Sequence, residues 1–200
     1  MGKIVAVVGN TGAGKTTLVR ALCRMGKFNF GLEQHTERPF QQMFKNDPRY
    51  ALANQLDYML QRAKQEQEFR SMEGIALVDG GLDLDFYGFT RLFHHRGWLS
   101  NEEFQLCEEL YGFFRSYLPH PDLSVHLIVD HDLIEKRLAE RDRINIARSA
   151  DLEMMNSFII SWLEKFPSEK VVHIDASNDD PAYSNTTSLI LDKIASLALK

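Results

Sequence analysis

The stretch GNTGAGKTT at residues 9–17 follows the apolar run 4–8 and constrains the fold more than any other part of the sequence. The spacing from its first glycine to Gly14, Lys15 and Thr16 is that of a phosphate-binding loop between a strand and a helix. The apolar run is β-branched and does not alternate, which favours a strand buried on both faces. The sequence therefore predicts a strand, a glycine-rich turn and a helix that together hold a phosphate group.

The residues of this loop have separate expected roles toward ATP. Its glycines allow the backbone to turn N–H groups inward around a phosphate. Lys15 is expected to reach the β- and γ-phosphates, and the Thr16 hydroxyl is expected to bind Mg²⁺. The predicted ATP-binding residues are Gly9, Asn10, Thr11, Gly12, Ala13, Gly14, Lys15, Thr16 and Thr17.

Composition limits the class of protein. The 200 residues are 44% hydrophobic and 26% charged, which suits one globular domain over residues 1–200. The net charge of −5 argues against a protein that binds nucleic acid by neutralising its phosphates. No apolar run reaches the length of a membrane span, and the first strand begins too early for a signal peptide. Cys23 and Cys107 match no metal or redox spacing, so we expect reduced thiols in a cytoplasmic protein.

Predicted strands alternate with predicted helices along the chain. The strands cover residues 4–8, 28–32, 75–78, 125–129 and 171–174, and the helices cover about 15–25, 48–72, 84–96, 100–117, 131–142 and 150–165, with a last helix from about 185. This alternation predicts an α/β fold, with a five-stranded parallel sheet and helices on both of its faces. Ligands of such sheets bind at the carboxyl edge. Gly9, Glu33 and Asp79 each follow a predicted strand and should meet there.

Charged residues after the third and fourth strands extend the phosphate site. Asp79 ends a strand, as an acid near a bound metal would; alternatively, it only opens the following turn. Arg137 and Arg141 are four residues apart and share a helix face, and Arg143 follows them. A basic lid over about 137–148 would close over the transferred phosphoryl group and stabilise its charge. Alternatively, these arginines only complement the dipole at a helix C-terminus.

An acceptor site is predicted opposite the phosphate. Glu33 follows the second strand and could take a proton from an attacking hydroxyl or help to hold Mg²⁺. Gln55 and Arg62 lie two turns apart on one face of the long helix, and an amide in line with a guanidinium suits the edge of a heterocyclic base. The alternative is an ordinary amphipathic helix with Arg62 in solvent. Asp85, six residues after Asp79, would add a hydrogen-bond acceptor or cap the next helix.

The order and spacing of these features resemble the deoxynucleoside kinase family over most of the chain. The segment GNTGAGKTTL resembles the family's P-loop, and EQHTERPF resembles the segment of its catalytic glutamate. The segment FKNDPRYALANQLDYMLQR resembles the one with the base-binding glutamine and arginine, and VDGGLDLD resembles the acid-Arg-Ser motif with an aspartate six residues on. SNEEFQLCEELYGFF, PDLSVHLIVD and RLAERDR resemble the family's later helix, fourth strand and lid.

The resemblance implies a P-loop NTPase fold, with ATP and Mg²⁺ as cofactors and phosphoryl transfer to the 5′-hydroxyl of a deoxynucleoside. Asp85 looks like the aspartate of the branch that acts on deoxycytidine and purine deoxynucleosides rather than thymidine. The resemblance also implies a homodimer packed through the helices at about 84–117, where aromatic residues are abundant. The implied catalytic residues are Glu33, Lys15, Arg137, Arg141 and Arg143, the substrate-binding residues are Glu33, Phe44, Gln55, Arg62 and Asp85, and the metal ligands are Thr16 and Asp79.

The sequence departs from the family pattern on the sugar side. Gly80 and Gly81 stand where the family has arginine and serine, and that arginine would bridge the catalytic glutamate and the 5′-hydroxyl. Phe44 or Lys45 stands in the region of the tyrosine that holds the 3′-hydroxyl, and no acid is evident after the lid arginines. Altered sugar contacts should change the acceptor before they abolish the chemistry, because the catalysis consists mostly of positioning and electrostatics.

Two alternative functions follow from these departures. A kinase of the same fold could act on a modified nucleoside or on a nucleotide, and Arg38 with Arg91 could form the extra cationic pocket that a nucleotide needs. Either of these arginines could instead replace the arginine missing at Gly80. The other alternative is a nucleotide-binding module that has lost kinase activity and serves in an assembly. It predicts ATP binding without transfer to any nucleoside.

Overall fold

A parallel five-stranded sheet forms the centre of the protein, which is described here from a computed structural model covering residues 2–31, 38–140, 149–180 and 182–198. The strand order is β2-β3-β1-β4-β5, so β1 is central and the P-loop leaves from the middle of the sheet. The predicted α/β class and parallel sheet are confirmed. The strands are β1 Lys3–Val8, β2 Asn29–Gly31, β3 Ile75–Asp79, β4 Leu123–Ile128 and β5 Val171–Asp175.

Helices follow each strand and flank the sheet. They are α1 Lys15–Met25, α2 Pro39–Asn46, α3 Ala51–Ser71, α4 Leu82–Leu84, α5 Arg91–His95, α6 Asn101–Arg115, α7 His131–Ala139, α8 Leu152–Leu163 and α9 Ser184–Ala198. A π-helical segment, Asp85–Thr90, joins α4 to α5 without a break. Among the described helices, none is both long and apolar enough to cross a lipid bilayer.

The helices differ most from the prediction at α2, at the start of α3 and at the start of α4. The prediction lacks α2, which begins with Pro39 at its first position, where the fixed φ of proline suits a helix start. The helix predicted over 48–72 begins as a 3₁₀ turn, Pro48–Tyr50, because the Asp47 side chain accepts a hydrogen bond from the Arg49 N–H. The helix predicted from residue 84 already begins at Leu82, directly after two glycines with positive φ.

The core lies on both faces of the sheet. Val5 and Val7 of β1 pack with apolar side chains of α1, α7 and α9, whereas Ala6 and Val8 pack with those of α3 and α8. This two-sided burial explains why β1 is apolar throughout rather than alternating. The ends of β1 and β3 are therefore held firmly where the loops that follow them form the candidate active site.

Candidate active site

The loop after β1 has the backbone conformation that a phosphate-binding loop requires. Gly12 and Gly14 have φ angles of 78° and 97°, in the left-handed region that residues with a Cβ rarely adopt. At Gly14 a Cβ would lie 2.1 Å from the Tyr183 hydroxyl oxygen, so the position has no room for a side chain. The loop leads directly into α1, which begins at Lys15. Backbone N–H groups of the loop and of the helix start therefore meet at the carboxyl edge of the sheet, as anion binding requires.

Lys15 lies back over the loop that precedes it. Its Nζ donates to the Gly9 carbonyl at 3.0 Å and to the Asn10 carbonyl at 2.8 Å. The Asn10 side chain in turn donates to the carbonyl of Leu152, the first residue of α8, at 3.1 Å. These contacts keep the lysine charge close to the converging N–H groups of the loop.

Thr16 and Asp79 come together at the ends of α1 and β3. The Thr16 hydroxyl donates to Asp79 Oδ2, and the Asp79 side chain is buried. The alternative in which Asp79 only opens a turn does not account for this contact. A hydroxyl beside a carboxylate provides the hard oxygen ligands that Mg²⁺ prefers, so the two residues fit the predicted metal site.

Arg137 and Tyr183 hold the loop from the opposite side. Arg137 Nη1 donates to the Ala13 carbonyl at 2.9 Å and to the Tyr183 hydroxyl at 3.0 Å. The Tyr183 hydroxyl donates to the same Ala13 carbonyl at 2.9 Å. Arg137 therefore contacts the P-loop rather than only complementing the dipole of α7. Tyr183 is absent from the sequence-based prediction, since a single tyrosine in a polar segment carries no recognisable signal.

Gln55 and Arg62 both contact Asp85, as their predicted common site requires. Arg62 Nε lies 3.1 Å from Asp85 Oδ2, and Gln55 Nε2 donates to the Asp85 backbone carbonyl at 2.8 Å. The Arg62 and Asp85 side chains are only 5% and 8% exposed, so the alternative with Arg62 in solvent is wrong. The capping alternative for Asp85 is also wrong, because its helix already begins at Leu82.

The π-helical segment Asp85–Thr90 gives the Asp85 carbonyl two side-chain partners. Besides Gln55, the Thr90 hydroxyl donates to this carbonyl, at 3.0 Å. A π-helical turn is wider than an α-helical one, and such turns are frequent at functional sites. The segment therefore fixes the backbone of Asp85 while its carboxylate pairs with Arg62.

Gly80 lies between the Thr16–Asp79 pair and the set of Gln55, Arg62 and Asp85. It follows Asp79, its N–H donates to the Val7 carbonyl at 2.9 Å, and its φ is 85°. A Cβ on Gly80 would lie 3.7 Å from Arg62 Nη2 and 3.4 Å from Leu84 Cδ2. The Arg62 guanidinium thus lies beside the residue that follows Asp79.

A buried histidine lies beneath the P-loop. His126 of β4 is opposite Val8 of β1 in the sheet, and its Nδ1 lies 3.0 Å from His173 Nδ1. Burial, followed by the neighbouring His173 and the positive charge of Lys15, lowers the pKa of His126 to about 4. His126 is therefore neutral near pH 7 and adds no second positive charge beneath Lys15.

A sequence model of deoxynucleoside kinases matches residues 5–198. The chain belongs to the deoxynucleoside kinase family. It is therefore a nucleoside kinase, a transferase of an ATP-utilising family, and the resemblance described from the sequence is confirmed.

Known kinases agree with this assignment. The chain is 26% identical over 205 residues to the deoxyadenosine/deoxycytidine kinase of Bacillus subtilis (strain 168), across 97% of this chain and 92% of the relative. It is 26% identical over 168 residues to the deoxyadenosine kinase of Dictyostelium discoideum, across 82% of this chain and 66% of the relative. The structure of a deoxyadenosine kinase from M. mycoides with bound dATP superposes with a TM-score of 0.80 at 19% identity. It covers 96% of this chain and 98% of its own, which confirms the P-loop NTPase fold.

The described contacts do not test the roles of four predicted site residues. Glu33, Arg141 and Arg143 lie outside the described residues, so their roles stay predictions. Phe44 is buried, and its ring centroid lies 4.9 Å from that of Phe93 in the core. A part for Phe44 in substrate binding likewise stays a prediction.

Proposed function

We propose that this kinase transfers the γ-phosphoryl group of ATP to the 5′-hydroxyl of a purine deoxynucleoside or deoxycytidine, in preference to thymidine. The observation that carries the proposal is the buried set of Gln55, Arg62 and Asp85 beside Gly80, one residue from the acid that contacts Thr16. Deoxyadenosine and deoxycytidine in the names of the two relatives support the same choice of base.

The acceptor base is expected to meet both a donor and an acceptor side chain. The Arg62 guanidinium offers N–H donors, and the Asp85 carboxylate offers acceptor oxygens, held together at 3.1 Å. Adenine and cytosine carry an exocyclic amino group next to a ring nitrogen acceptor, whereas thymine has carbonyl oxygens on both sides of an N–H. A carboxylate can accept a hydrogen bond from that amino group. A buried Asp85 therefore favours amino-bearing bases.

The transfer step follows from the roles assigned to the side chains. Glu33 takes the proton of the 5′-hydroxyl, whose oxygen forms a bond to the γ-phosphorus while the bond to the bridging oxygen of ADP breaks. Lys15 and the lid residues Arg137, Arg141 and Arg143 stabilise the charge that develops on the phosphoryl oxygens. Thr16 and Asp79 would hold Mg²⁺, which neutralises phosphate charge when it is bound.

The alternative with a nucleotide acceptor has less support. It needs a cationic pocket, but Arg38 forms a two-pronged ion pair with Asp57. The Arg91 guanidinium lies over the Tyr87 ring, with Cζ 4.9 Å from its centroid. Arg38 is therefore engaged by an acid, whereas Arg91 has a ring contact and a buried Nε without a hydrogen-bond partner among the described residues. One arginine does not make the cationic pocket that was predicted from two, so a nucleoside is the acceptor that these contacts favour.

The decisive experiment is a coupled assay with ATP and Mg²⁺ over deoxyadenosine, deoxyguanosine, deoxycytidine, thymidine, their ribose forms and the corresponding monophosphates, with Lys15→Ala as control. ATP binding is measured separately by thermal shift. We expect lysine-dependent 5′-monophosphate from the purine deoxynucleosides or deoxycytidine. Product from thymidine alone would contradict the assigned base. Product from monophosphates alone would favour the nucleotide acceptor. ATP binding with no product on any nucleoside would favour the binding-module alternative.

The proposal includes a homodimer in which α6 packs against its copy. This helix exposes Leu106 and Phe113, Tyr117 is exposed just after its end, and Phe113 is 63% exposed. Exposed apolar side chains on one helix are typical of an interface. Light scattering should therefore give twice the chain mass, and Phe113→Glu should lower it toward that of a monomer. A single kinase domain over residues 1–200 and a cytoplasmic location, in line with two free cysteines, are parts of the same proposal.

A further inference from the structure

A second group of buried charges lies behind the Arg62–Asp85 pair. In this group, the Arg115 cluster, Arg115 of α6 binds Glu66 of α3 and Asp83 of α4. Arg115 Nη1 lies 2.7 Å from Glu66 Oε2, and Arg115 Nη2 lies 2.6 Å from Asp83 Oδ1. The three side chains are only 2–7% exposed. None of them has a part in the transfer step proposed above.

Asp83 is held by partners from two further positions. The Tyr111 hydroxyl donates to its Oδ1 at 2.7 Å, and His120 Nδ1 lies 3.1 Å from its Oδ2. Burial raises the pKa of Asp83, but the contact with His120 and the charge of Arg115 outweigh it and leave that pKa below its ordinary value. Asp83 is therefore an ionised carboxylate inside the protein, which is costly unless all its bonds are made.

The Arg115 cluster contacts the turn that leads to Asp85. Glu66 Oε1 accepts the Leu82 N–H at 3.3 Å, and a Cβ on Gly81 would lie 3.7 Å from that same oxygen. Gly80 and Gly81 have φ angles of 85° and 94° and no side chains of their own to fix the turn. The conformation of the turn is therefore stabilised by contacts with other elements, including the contact with Glu66 of α3.

We propose that Arg115 is a positioning residue for the acceptor site, because it joins Glu66 on α3 to Asp83 on α4. Glu66 lies one helical turn after Arg62, and Asp83 lies two residues before Asp85. A shift between α3 and α4 would therefore separate Arg62 from Asp85 as well. The inference rests on the proposed function, since it assigns the Arg62–Asp85 pair to the acceptor base.

The kinetic test is Asp83→Asn, which keeps the shape of the side chain but removes its charge. We expect the KM for the deoxynucleoside to rise by about tenfold or more, because a misplacement of about 1 Å in a site can cost up to about 10²-fold. The KM for ATP should change less than about twofold, since the P-loop contacts do not involve Asp83. Arg115→Lys should give the same split, because lysine lacks the planar fork that spans two carboxylates.

The matched control is Phe114→Leu, next to Arg115 on α6. Phe114 is buried in the core and takes no part in the cluster, so this change lowers stability without altering any charge. Both KM values should stay at the wild-type level in this variant. If Asp83→Asn and Arg115→Lys also lower the Tm and leave the deoxynucleoside KM unchanged, the cluster only stabilises the fold and the proposal is overturned.

A second measurement does not depend on turnover. In the wild type, the Arg62 Nε–H bonded to Asp85 should give a slowly exchanging ¹⁵N resonance, assigned by its loss in Arg62→Lys. In Asp83→Asn, or in Arg115→Lys if the first variant does not fold, this resonance should exchange much faster. An unchanged resonance would overturn the positioning role. Failure of the wild type to phosphorylate any deoxynucleoside would overturn the proposed function instead, so the two failures are distinguishable.

Discussion

The phosphate side and the acceptor side of the site are held together by different kinds of contact. On the phosphate side, charged side chains bind backbone carbonyls, as Lys15 does at Gly9 and Asn10. On the acceptor side, buried charges bind each other, as Arg62 does with Asp85. Loss of a hydrogen bond between a charged donor and a neutral carbonyl costs about 1.5–3 kcal/mol, whereas removal of one partner of a buried ion pair costs about 3–5 kcal/mol. We therefore expect substitutions on the acceptor side to lower the free energy of unfolding most, and substitutions on the phosphate side to lower kcat most.

The largest expected effect on stability is on the acceptor side. Arg62→Met should lower the free energy of unfolding by about 3–5 kcal/mol, because it leaves the Asp85 carboxylate buried without its ion-pair partner. The matched control is Arg49→Met, which removes an arginine whose side chain is 88% exposed in its pair with Asp47. That change should stay within about 0.5 kcal/mol. Urea unfolding measures both. Equal, small losses in the two variants would show that the acceptor side is not held by its buried charges.

The phosphate side should respond in rate. Lys15→Ala should lower kcat about 10²- to 10³-fold, the usual result of removing one donor to a developing negative charge. Stability should fall by about 1.5–3 kcal/mol, less than in Arg62→Met, since Lys15 donates to the neutral carbonyl oxygens of Gly9 and Asn10. Lys64→Ala, on the exposed face of α3, is the matched control and should change neither quantity. A kcat in Lys15→Ala within tenfold of the wild-type value would contradict the role of this lysine.

The same difference explains how much the sequence could predict. The P-loop is a local pattern, and the meeting of Thr16 with Asp79 follows from parallel strands that end at one edge. The prediction that Arg62 and Asp85 belong to one site depends on a resemblance in spacing to the family. Tyr183 contacts Ala13 from 170 residues away, and only the packed position of the segment before α9 brings it there.

The Arg115 cluster is a further contact that sequence reasoning could not find. Arg115 stands in the last turn of α6, where a basic residue is expected simply to complement the helix dipole. Its two carboxylate partners lie 49 and 32 residues earlier on other helices. Pairing across three helices depends on their crossing geometry, which no local pattern encodes.

The pH dependence of stability should reveal the lowered pKa of His126, which lies in the sheet beneath the P-loop. The pKa of His126 is about 4 in the folded state and about 6.5 in an unfolded chain, so between these values the unfolded state binds more protons. Stability should therefore fall as the pH is lowered from about 6.5 toward 4, by about 1 kcal/mol per pH unit. His126→Gln should flatten this slope between about pH 6.5 and pH 5, and His131→Gln, at an exposed histidine, should not. If the profiles of His126→Gln and the wild type are parallel, the pH dependence does not come from a lowered pKa of His126.

The smallest effect tests whether the two sides are held separately. Tyr183→Phe removes one hydroxyl that donates to the Ala13 carbonyl and accepts from Arg137. The loss of about 1 kcal/mol should raise the KM for ATP about fivefold and leave the KM for the deoxynucleoside unchanged, because the partners of this hydroxyl among the described residues, Ala13 and Arg137, lie at the P-loop. Tyr117→Phe, at an exposed tyrosine, controls for the loss of a hydroxyl. If the two KM values of Tyr183→Phe rise together, the loop and the Arg62–Asp85 pair behave as one unit, and the contact between them runs through Asp79 and Gly80.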